Sequence, residues 1–233
     1  MAKVVPRRRR RPQRETNWLL IGSIVVVGVV GLFALLFVTL QGDGVPTPTP
    51  EPVALTAFCA ANEENCVEKG NPDAPVTIVE VSDYGCGHCR NFNLEGTADA
   101  LDEMYVDSGQ VRWIVLPYAL GDATAGAAEA ALCAAEQDAF FEFHHEMFVI
   151  QTTDAALTGE GFVDAAEEVR MDADAFTACY ESNRYRDAVQ RNIAMATRAG
   201  VSATPTFFIN GMKFEGNRPL ANFQREIERA MES

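Results

Sequence analysis

Two cysteines separated by two residues are the clearest chemical feature of this sequence. The segment Cys86-Gly87-His88-Cys89 directly follows a strand-like stretch and directly precedes a helical pattern. At the start of a helix, unpaired backbone N–H groups and the helix dipole favour an anion, and here they would stabilise a thiolate. A thiolate is the nucleophile of disulfide exchange. We therefore predict that Cys86 is exposed and attacks, that Cys89 is more buried and resolves, and that His88 donates hydrogen bonds toward the Cys86 thiolate.

Three other chemical roles are compatible with a Cys-x-x-Cys pair. Structural zinc would require a second cysteine or histidine pair at suitable spacing, and the other four cysteines form no second Cys-x-x-Cys. Covalent haem attachment requires a histidine directly after the second cysteine, but position 90 is Arg90. A purely structural disulfide is allowed by composition, yet it gives no reason for the pair to lie between a strand and a helix. Redox catalysis is the preferred interpretation, with no metal and no cofactor expected.

The elements around the cysteines predict a β-α-β unit. The stretch from Val76 to Ser82 combines β-branched residues with apolar alternation, which is typical of a strand. Helical spacing of apolar residues continues from Cys89 until Gly109 offers a stop. The apolar run from Trp113 to Leu116 suits a buried parallel strand. This order places the cysteines at the N-terminus of the helix.

The second half of the chain predicts a helical segment followed by a hairpin and a helix. Residues from about 122 to 199 have an almost continuous helical pattern, with breaks near Thr152 to Gly161 and at Met171-Asp172. Asn210-Gly211 predicts a hairpin turn between two short strands. Beyond it, apolar residues from Leu220 to Ala230 fall on one face of a final helix.

Over about residues 71–233 the sequence resembles the thioredoxin superfamily, and most closely its DsbA-like thiol-disulfide oxidoreductases. Acidic Glu80 lies six residues before the first cysteine, followed by Ser82-Asp83-Tyr84, as in the active-site strand and turn of that family. Thr204-Pro205 resembles its cis-proline loop. The helical segment at about 120–200 resembles its inserted subdomain. The resemblance implies an α/β, thioredoxin-like fold with an inserted helical subdomain.

The same resemblance implies roles for residues outside the cysteine pair. It places Pro205 in a cis peptide facing the reactive cysteine, whereas any X-Pro bond is usually trans and a strand-entry proline is the simpler alternative. It assigns the backbone of Thr204 to pairing with an extended substrate segment. It makes Glu80 a buried acid near Cys89 that shuttles protons, where a surface strand residue is the alternative. Gly87 departs from the commonest DsbA pattern, which has proline there, and gives the dipeptide typical of protein disulfide isomerase.

Four further cysteines are an even number, as expected of disulfides in an extracytoplasmic domain. Because some DsbA-like proteins carry a second disulfide in the insert, the resemblance implies a Cys133–Cys179 bridge. That bridge leaves Cys59 and Cys66 to close a small loop ahead of the domain. Free buried thiols or a second exchange pair are the alternatives.

Two adjacent histidines, His144 and His145, lie in a phenylalanine-rich helical segment at about 140–148. Only one of two adjacent helical positions can face a common ligand, so a metal site is not expected. We interpret the phenylalanines as the core of the insert and predict that both histidines are partly exposed.

The N-terminal part of the chain predicts a membrane anchor. Residues 18–40 contain no charged side chain and are enough to cross a hydrocarbon core about 30 Å thick. Residues 1–17 carry seven basic side chains and one acidic, so the positive-inside rule keeps this tail cytoplasmic and the folded domain outside. A cleaved signal peptide is the alternative, but its apolar core usually runs about 7–15 residues, and no Ala-x-Ala-like site follows. Residues 41–70 are expected to form a proline-rich linker with a lead-in that contains Cys59 and Cys66.

Beyond the basic tail the chain is strongly acidic. Residues 18–233 carry 12 basic and 32 acidic side chains, a net charge of −20. Such a charge repels nucleic acid and anionic lipid headgroups, so nucleic-acid binding is not expected.

The function favoured by these residues and by the resemblance is oxidation of dithiols in exported polypeptides through a Cys86–Cys89 disulfide. The resemblance implies reoxidation by a membrane quinone-linked thiol oxidase of the DsbB or vitamin K epoxide reductase type. A membrane-tethered disulfide reductase or isomerase is the alternative within the same chemistry. A polypeptide-binding module with structural cysteines is the alternative outside it.

Overall fold

A five-stranded mixed sheet carries the cysteine pair in a computed structural model that describes residues 54–232. The strands are β1 Val67–Gly70, β2 Val76–Ser82, β3 Val111–Pro117, β4 Thr206–Ile209 and β5 Met212–Glu215, in the spatial order β1-β3-β2-β4-β5. Strand β2 runs parallel to β3 and antiparallel to β4, and β1 and β5 pair antiparallel at the two edges. Six of the seven residues in β2, and six of seven in β3, are buried, because helices cover both faces of the sheet.

Nine α-helices accompany the sheet within the described residues. They are α1 Ala54–Ala61, α2 Gly87–Leu94, α3 Thr97–Leu101, α4 Asp122–Ala135, α5 Phe140–Val149, α6 Gly159–Glu168, α7 Ala173–Glu181, α8 Arg186–Arg198 and α9 Leu220–Met231. Helix α3 continues into a π-helical turn, Asp102–Val106, and α5 continues into a 3-10 turn, Ile150–Thr152. A further 3-10 turn, Glu63–Asn65, follows α1.

Aromatic rings fill one face of the sheet. Phe92 of α2 lies with its ring centroid 4.7 Å from that of Phe207, and Phe207 lies 4.9 Å from Phe223 of α9. Trp113 of β3 stacks against Phe92 at 6.0 Å. Aromatic pairs at these separations contribute about 0.5–1.5 kcal/mol each beyond their buried area. This cluster holds α2, and with it the cysteine pair, against the sheet.

The opposite face of the sheet is covered in part by α1. Leu55 and Cys59 of this helix pack with Val79, Ile114 and Phe208, which point away from the aromatic cluster. All five side chains are buried.

Regular structure begins earlier than the domain boundary expected at Asn71. Strand β1 precedes that residue and pairs with β3, with Val67 opposite Val115, and α1 contributes to the core. The sequence pattern does not predict β1, because β1 is an edge strand in which Glu68 and Lys69 interrupt any apolar run. Residues 54–70, expected to be a linker and lead-in, are therefore part of the folded unit.

The helical insert predicted between the two halves of the sheet is confirmed, but it is divided into five helices. Four residues with left-handed backbone conformations lie in the loops between them: Asp138 (φ 55°), Leu157 (φ 58°), Arg170 (φ 62°) and Asn183 (φ 53°). The breaks at Leu157 and Arg170 fall at or next to the expected ones. Those at Asp138 and Asn183 were not expected; Asp and Asn are the residues other than glycine that adopt this conformation most readily.

Two disulfides cross-link the described residues. Cys133 of α4 is bonded to Cys179 of α7, with an S–S distance of 2.04 Å across 46 positions of sequence. Cys59 of α1 is bonded to Cys66 seven positions later, with an S–S distance of 2.13 Å. The first bridge ties two helices of the insert together, and the second ties α1 to the segment that leads into β1.

The predicted basic tail at 1–17 and the predicted membrane span at 18–40 lie outside the described residues. Among the helices of residues 54–232, none is both long enough and apolar enough to cross a bilayer.

Candidate active site

The two reactive cysteines occupy different positions at the start of α2. Cys86 is the N-cap residue and has an extended backbone (φ −87°, ψ 117°), whereas Cys89 lies in the first turn. Both are free thiols; Cys86 is half-buried and Cys89 is buried. The Cys86 carbonyl already accepts a hydrogen bond from the Arg90 N–H at 3.1 Å. The Cys86 side chain therefore lies at the end of α2 where backbone N–H groups are unpaired.

This position separates the acidities of the two thiols. The pKa of Cys86 is lowered to about 5, first by a hydrogen bond with the Cys89 thiol and further by the backbone N–H groups of Cys89 and His88, against the opposing effect of burial. The pKa of Cys89 is raised well above its ordinary value by burial and by the nearby Cys86. At neutral pH, Cys86 is thus a thiolate and Cys89 a thiol. This is the asymmetry that an attacking and a resolving cysteine require.

His88 contributes through its backbone. Its side chain is exposed, and its main-chain N–H helps to lower the pKa of Cys86. The sequence led us to expect donation from the imidazole ring. The structure instead attributes the effect of this residue to its place in the first turn of the helix.

The loop before β4 faces the attacking cysteine. The Thr204–Pro205 peptide is cis, and the Thr204 carbonyl oxygen lies 3.2 Å from Cys86 Sγ. Both residues are buried, and Pro205 also accepts a hydrogen bond from the Gly216 N–H at 2.8 Å. The backbone of Thr204 is thus next to the reactive sulfur.

Glu80 is a buried acid in the central strand. It is 1% exposed; Trp113 Nε1 donates to its Oε2 at 3.1 Å, and its Oε1 has no protein partner. Burial raises the pKa of Glu80 to about 7, although the hydrogen bond from Trp113 and the charge of Lys69 partly oppose the rise. Glu80 is one of the residues that line a cavity of about 20 Å³, enough for one water molecule by the usual volume criterion. Near neutral pH this carboxyl can therefore both take up and release a proton.

The carboxyl lies close to the resolving cysteine through a shared neighbour. Asn93 Nδ2 donates to the Cys89 carbonyl oxygen at 3.0 Å. Asn93 and Glu80 border the same small cavity.

A family model described as thioredoxin matches residues 62–229. The chain belongs to the thioredoxin family. A probable disulfide bond formation protein D of Bacillus anthracis is 29% identical over 149 residues, which cover 61% of this chain and 68% of that protein. Among solved structures, oxidised BdbD of Bacillus subtilis aligns with a TM-score of 0.65 and 22% identity, over 71% of this chain and 92% of that one.

Another relative is a much longer protein. The Na(+)/H(+) antiporter NhaA 3 of Salinispora tropica is 34% identical over 157 residues, 64% of this chain. The match covers only 22% of the antiporter, so the chain spans about a fifth of its length.

In a thioredoxin-family protein, a reactive thiolate paired with a resolving thiol performs thiol-disulfide exchange. The fold, with its inserted helices, is similar to those of BdbD of Bacillus subtilis and of Chlamydia trachomatis DsbA. The free cysteine pair at the start of α2 has the arrangement that such an exchange requires. The described residues contain no group of three or more His, Cys, Asp or Glu side chains that is able to hold a metal ion.

The turn ahead of the cysteines depends on a residue whose role the sequence did not reveal. Asp83 Oδ1 accepts from the Gly85 N–H at 2.6 Å, while its Oδ2 accepts from the Leu120 N–H at 2.6 Å and from Thr124 Oγ1 at 2.8 Å. A Cβ on Gly85 would lie only 2.5 Å from the Thr124 side chain. In this thioredoxin-family protein, Asp83 therefore joins the active-site turn to the beginning of the insert.

His144 is buried, not partly exposed as predicted. It is 4% exposed, its Nδ1 lies 2.7 Å from the Tyr84 hydroxyl oxygen, and burial lowers its pKa to about 3, so the ring is neutral. His145 is exposed, as only one of two neighbours on a helix can face the core. The spacing of buried Phe140, His144 and Phe148 at every fourth position was the sign in the sequence that His144 faces inward.

Proposed function

We propose that this protein is a thiol-disulfide oxidoreductase and that it oxidises dithiols in exported polypeptides. The observation that supports this direction most strongly is the low pKa of Cys86, about 5, beside a Cys89 thiol whose pKa is raised. A stabilised thiolate makes the reduced enzyme the more stable form, and a stable reduced form draws electrons from substrates.

The reaction proceeds in two exchanges. A substrate thiolate attacks Cys86 Sγ of the oxidised enzyme, the Cys86–Cys89 bond breaks, and Cys89 leaves with the electron pair and takes up a proton. The second substrate thiolate then attacks the substrate sulfur of the mixed disulfide and displaces Cys86 as a thiolate. The substrate loses two electrons and becomes a disulfide, and the enzyme gains them and becomes a dithiol. The low pKa of Cys86 makes it a good leaving group in the second step.

Glu80 is proposed to supply and accept the proton that accompanies the change at Cys89. Its pKa of about 7 allows either direction near neutral pH. The small cavity that Glu80 lines has room for a water molecule on the path of the proton.

Substrate binding is proposed to use the backbone of Thr204. Because this backbone lies beside Cys86 Sγ, an extended polypeptide aligned with it would bring its cysteine to the reactive sulfur. Main-chain pairing has little dependence on side chains, which suits an enzyme with many substrates.

The setting proposed for this chemistry is the outer side of a membrane. A span at 18–40 with a cytoplasmic tail at 1–17 would anchor the enzyme there, and a quinone-linked thiol oxidase of the DsbB or vitamin K epoxide reductase type would reoxidise it. The sequence supports these proposals through the length of the uncharged segment and the charge bias before it.

Equilibration of the Cys86–Cys89 pair with glutathione tests the direction. We expect a potential above that of thioredoxin, about −270 mV. A value at or below that of thioredoxin would favour the reductase or isomerase alternative. Gly87 is consistent with that alternative, because it gives the dipeptide typical of protein disulfide isomerase. A Cys86→Ser variant addresses the remaining alternative, because a polypeptide-binding module with structural cysteines would keep its full activity.

A further inference from the structure

One side-chain amide connects the helical insert to the turn before the cysteines. Gln151 lies in the 3-10 turn after α5, and its Nε2 donates to the carbonyl oxygens of Tyr84 at 2.6 Å and of Cys86 at 3.2 Å. A primary amide carries two N–H groups in a fixed fork, so one side chain can serve both acceptors.

The two acceptors lie on either side of Gly85. Tyr84 is buried, and a buried carbonyl that loses its donor is destabilised. The Cys86 carbonyl is shared with the Arg90 N–H, the first backbone hydrogen bond of α2. Gln151 therefore contacts the residue at which the helix begins.

The orientation of the Cys86 carbonyl determines the orientation of the first peptide of α2. A peptide unit is planar, so a donor that holds the carbonyl of Cys86 also holds the N–H of Gly87 and restricts the turn that follows. The backbone N–H groups in that turn, from His88 and Cys89, are among the groups that lower the pKa of Cys86. Their alignment with the sulfur depends on this plane.

Other contacts hold different parts of the same turn. His144 of α5 lies 2.7 Å from the Tyr84 hydroxyl, and Asp83 binds Thr124 and the Leu120 N–H. Those contacts act ahead of the cysteines, whereas the contact from Gln151 reaches the N-cap residue itself.

We propose that Gln151 is a positioning residue through which the helical insert stabilises the Cys86 thiolate. The proposal rests on the thiol exchange at Cys86 described above, but not on whether the enzyme oxidises or reduces its substrates. Gln151 does not touch the reacting sulfur; it acts through the backbone of the first turn of α2.

Gln151→Leu removes both donors at nearly constant size, and Gln137→Leu is the matched control. Gln137 also makes two hydrogen bonds with backbone, to the Asp172 carbonyl and from the Asp172 N–H, but entirely within the insert. The readouts are the pH titration of the Cys86 thiolate by ultraviolet absorbance and the equilibrium of the Cys86–Cys89 pair with glutathione. The full chain is used, with its structural disulfides intact.

For Gln151→Leu we expect the pKa of Cys86 to rise by about half a unit to one unit, the range of one net hydrogen bond. The glutathione equilibrium should shift toward the enzyme disulfide by about three- to tenfold. Gln137→Leu should lower the urea midpoint to a similar degree and leave both readouts at the wild-type value.

The proposal is overturned if Gln151→Leu and Gln137→Leu give the same pKa and the same glutathione equilibrium. Should the leucine variant fail to fold, Gln151→Met, which keeps the length and flexibility of the side chain, undergoes the same comparison. The wild-type potential by itself decides the direction of catalysis. A reductase-like wild type with a shifted Gln151→Leu variant would contradict the oxidase proposal while supporting the role of Gln151.

Discussion

Replacing Glu80 by glutamine should stabilise the protein at alkaline pH and have little effect at acidic pH. Burial raises the pKa of this carboxyl from 4.5 to about 7, a difference that corresponds to about 3 kcal/mol. Between these pH values the folded state binds the proton more tightly than the unfolded state does. The free energy of unfolding therefore falls as pH rises through this window and stays lower above it. Glutamine removes the titration and keeps an oxygen that accepts from Trp113 Nε1.

The assay is urea unfolding at pH 4 and pH 8 in a background with Cys86 and Cys89 replaced by serine, so that no cysteine titrates. At pH 8 we expect Glu80→Gln to gain up to about 3 kcal/mol, a midpoint increase of about 1 M for a protein of this size. At pH 4 the two proteins should differ by less than about 1 kcal/mol, the size of one net hydrogen bond. Glu142→Gln, which replaces an exposed glutamate on α5, is the control for the loss of a surface carboxyl.

Equal effects of Glu80→Gln at both pH values would refute the reasoning, because they would show that the carboxyl is not protonated preferentially in the folded state. A loss of stability at pH 8 would mean that the charged carboxylate is better solvated in its cavity than its burial indicates.

Three further experiments address other parts of the molecule. Cys89→Ala should raise the pKa of Cys86 above its value of about 5, because the substitution removes the hydrogen bond that lowers this pKa most. The pH profile of Cys86 alkylation measures the pKa, and an unchanged profile would assign its lowering to the backbone alone. Replacing both Cys133 and Cys179 by alanine should lower the free energy of unfolding by about 4 kcal/mol, the chain-entropy value for a loop across 46 positions, as measured by denaturant unfolding. Mass spectrometry of a non-reducing digest checks the pairing, and a link from either cysteine to another one would contradict it. Reduced Cys86 in intact cells should react with a membrane-impermeant thiol reagent, because the charge bias before residue 18 keeps the tail inside; labelling only after lysis would reverse the predicted topology.

The parts of the fold that the sequence predicted are those encoded locally. Strand β2 was visible because Val76 to Ser82 alternates and is rich in β-branched residues, and the hairpin was visible because Asn210-Gly211 is a turn dipeptide. The start of α2 followed from the change of period at the cysteines. In each case the information lies within about ten residues of sequence.

The parts that were missed depend on contacts between distant segments. Strand β1 forms because it pairs with the edge of β3. Its own four residues, with Lys69 in the third place, show no strand pattern. The contact between Gln151 and Cys86 joins positions 65 apart, and that between Asp83 and Thr124 joins positions 41 apart. A glutamine at the end of a helix has many possible partners, so no pattern in the sequence identifies the one it binds.

The position between the cysteines illustrates how these two kinds of information combine. Gly87 stands where proline is usual in DsbA-like proteins, and it gives the dipeptide typical of protein disulfide isomerase. A Cβ on Gly87 would meet no heavy atom of the described structure within 4 Å, so a side chain at this position would not act by contact. Its effect must come from the backbone: proline at the first position of a helix fixes φ in advance, whereas glycine leaves the first turn free. With glycine there, the alignment of the N–H groups around Cys86 depends on contacts from outside the turn, and the two carbonyl contacts of Gln151 supply that restraint.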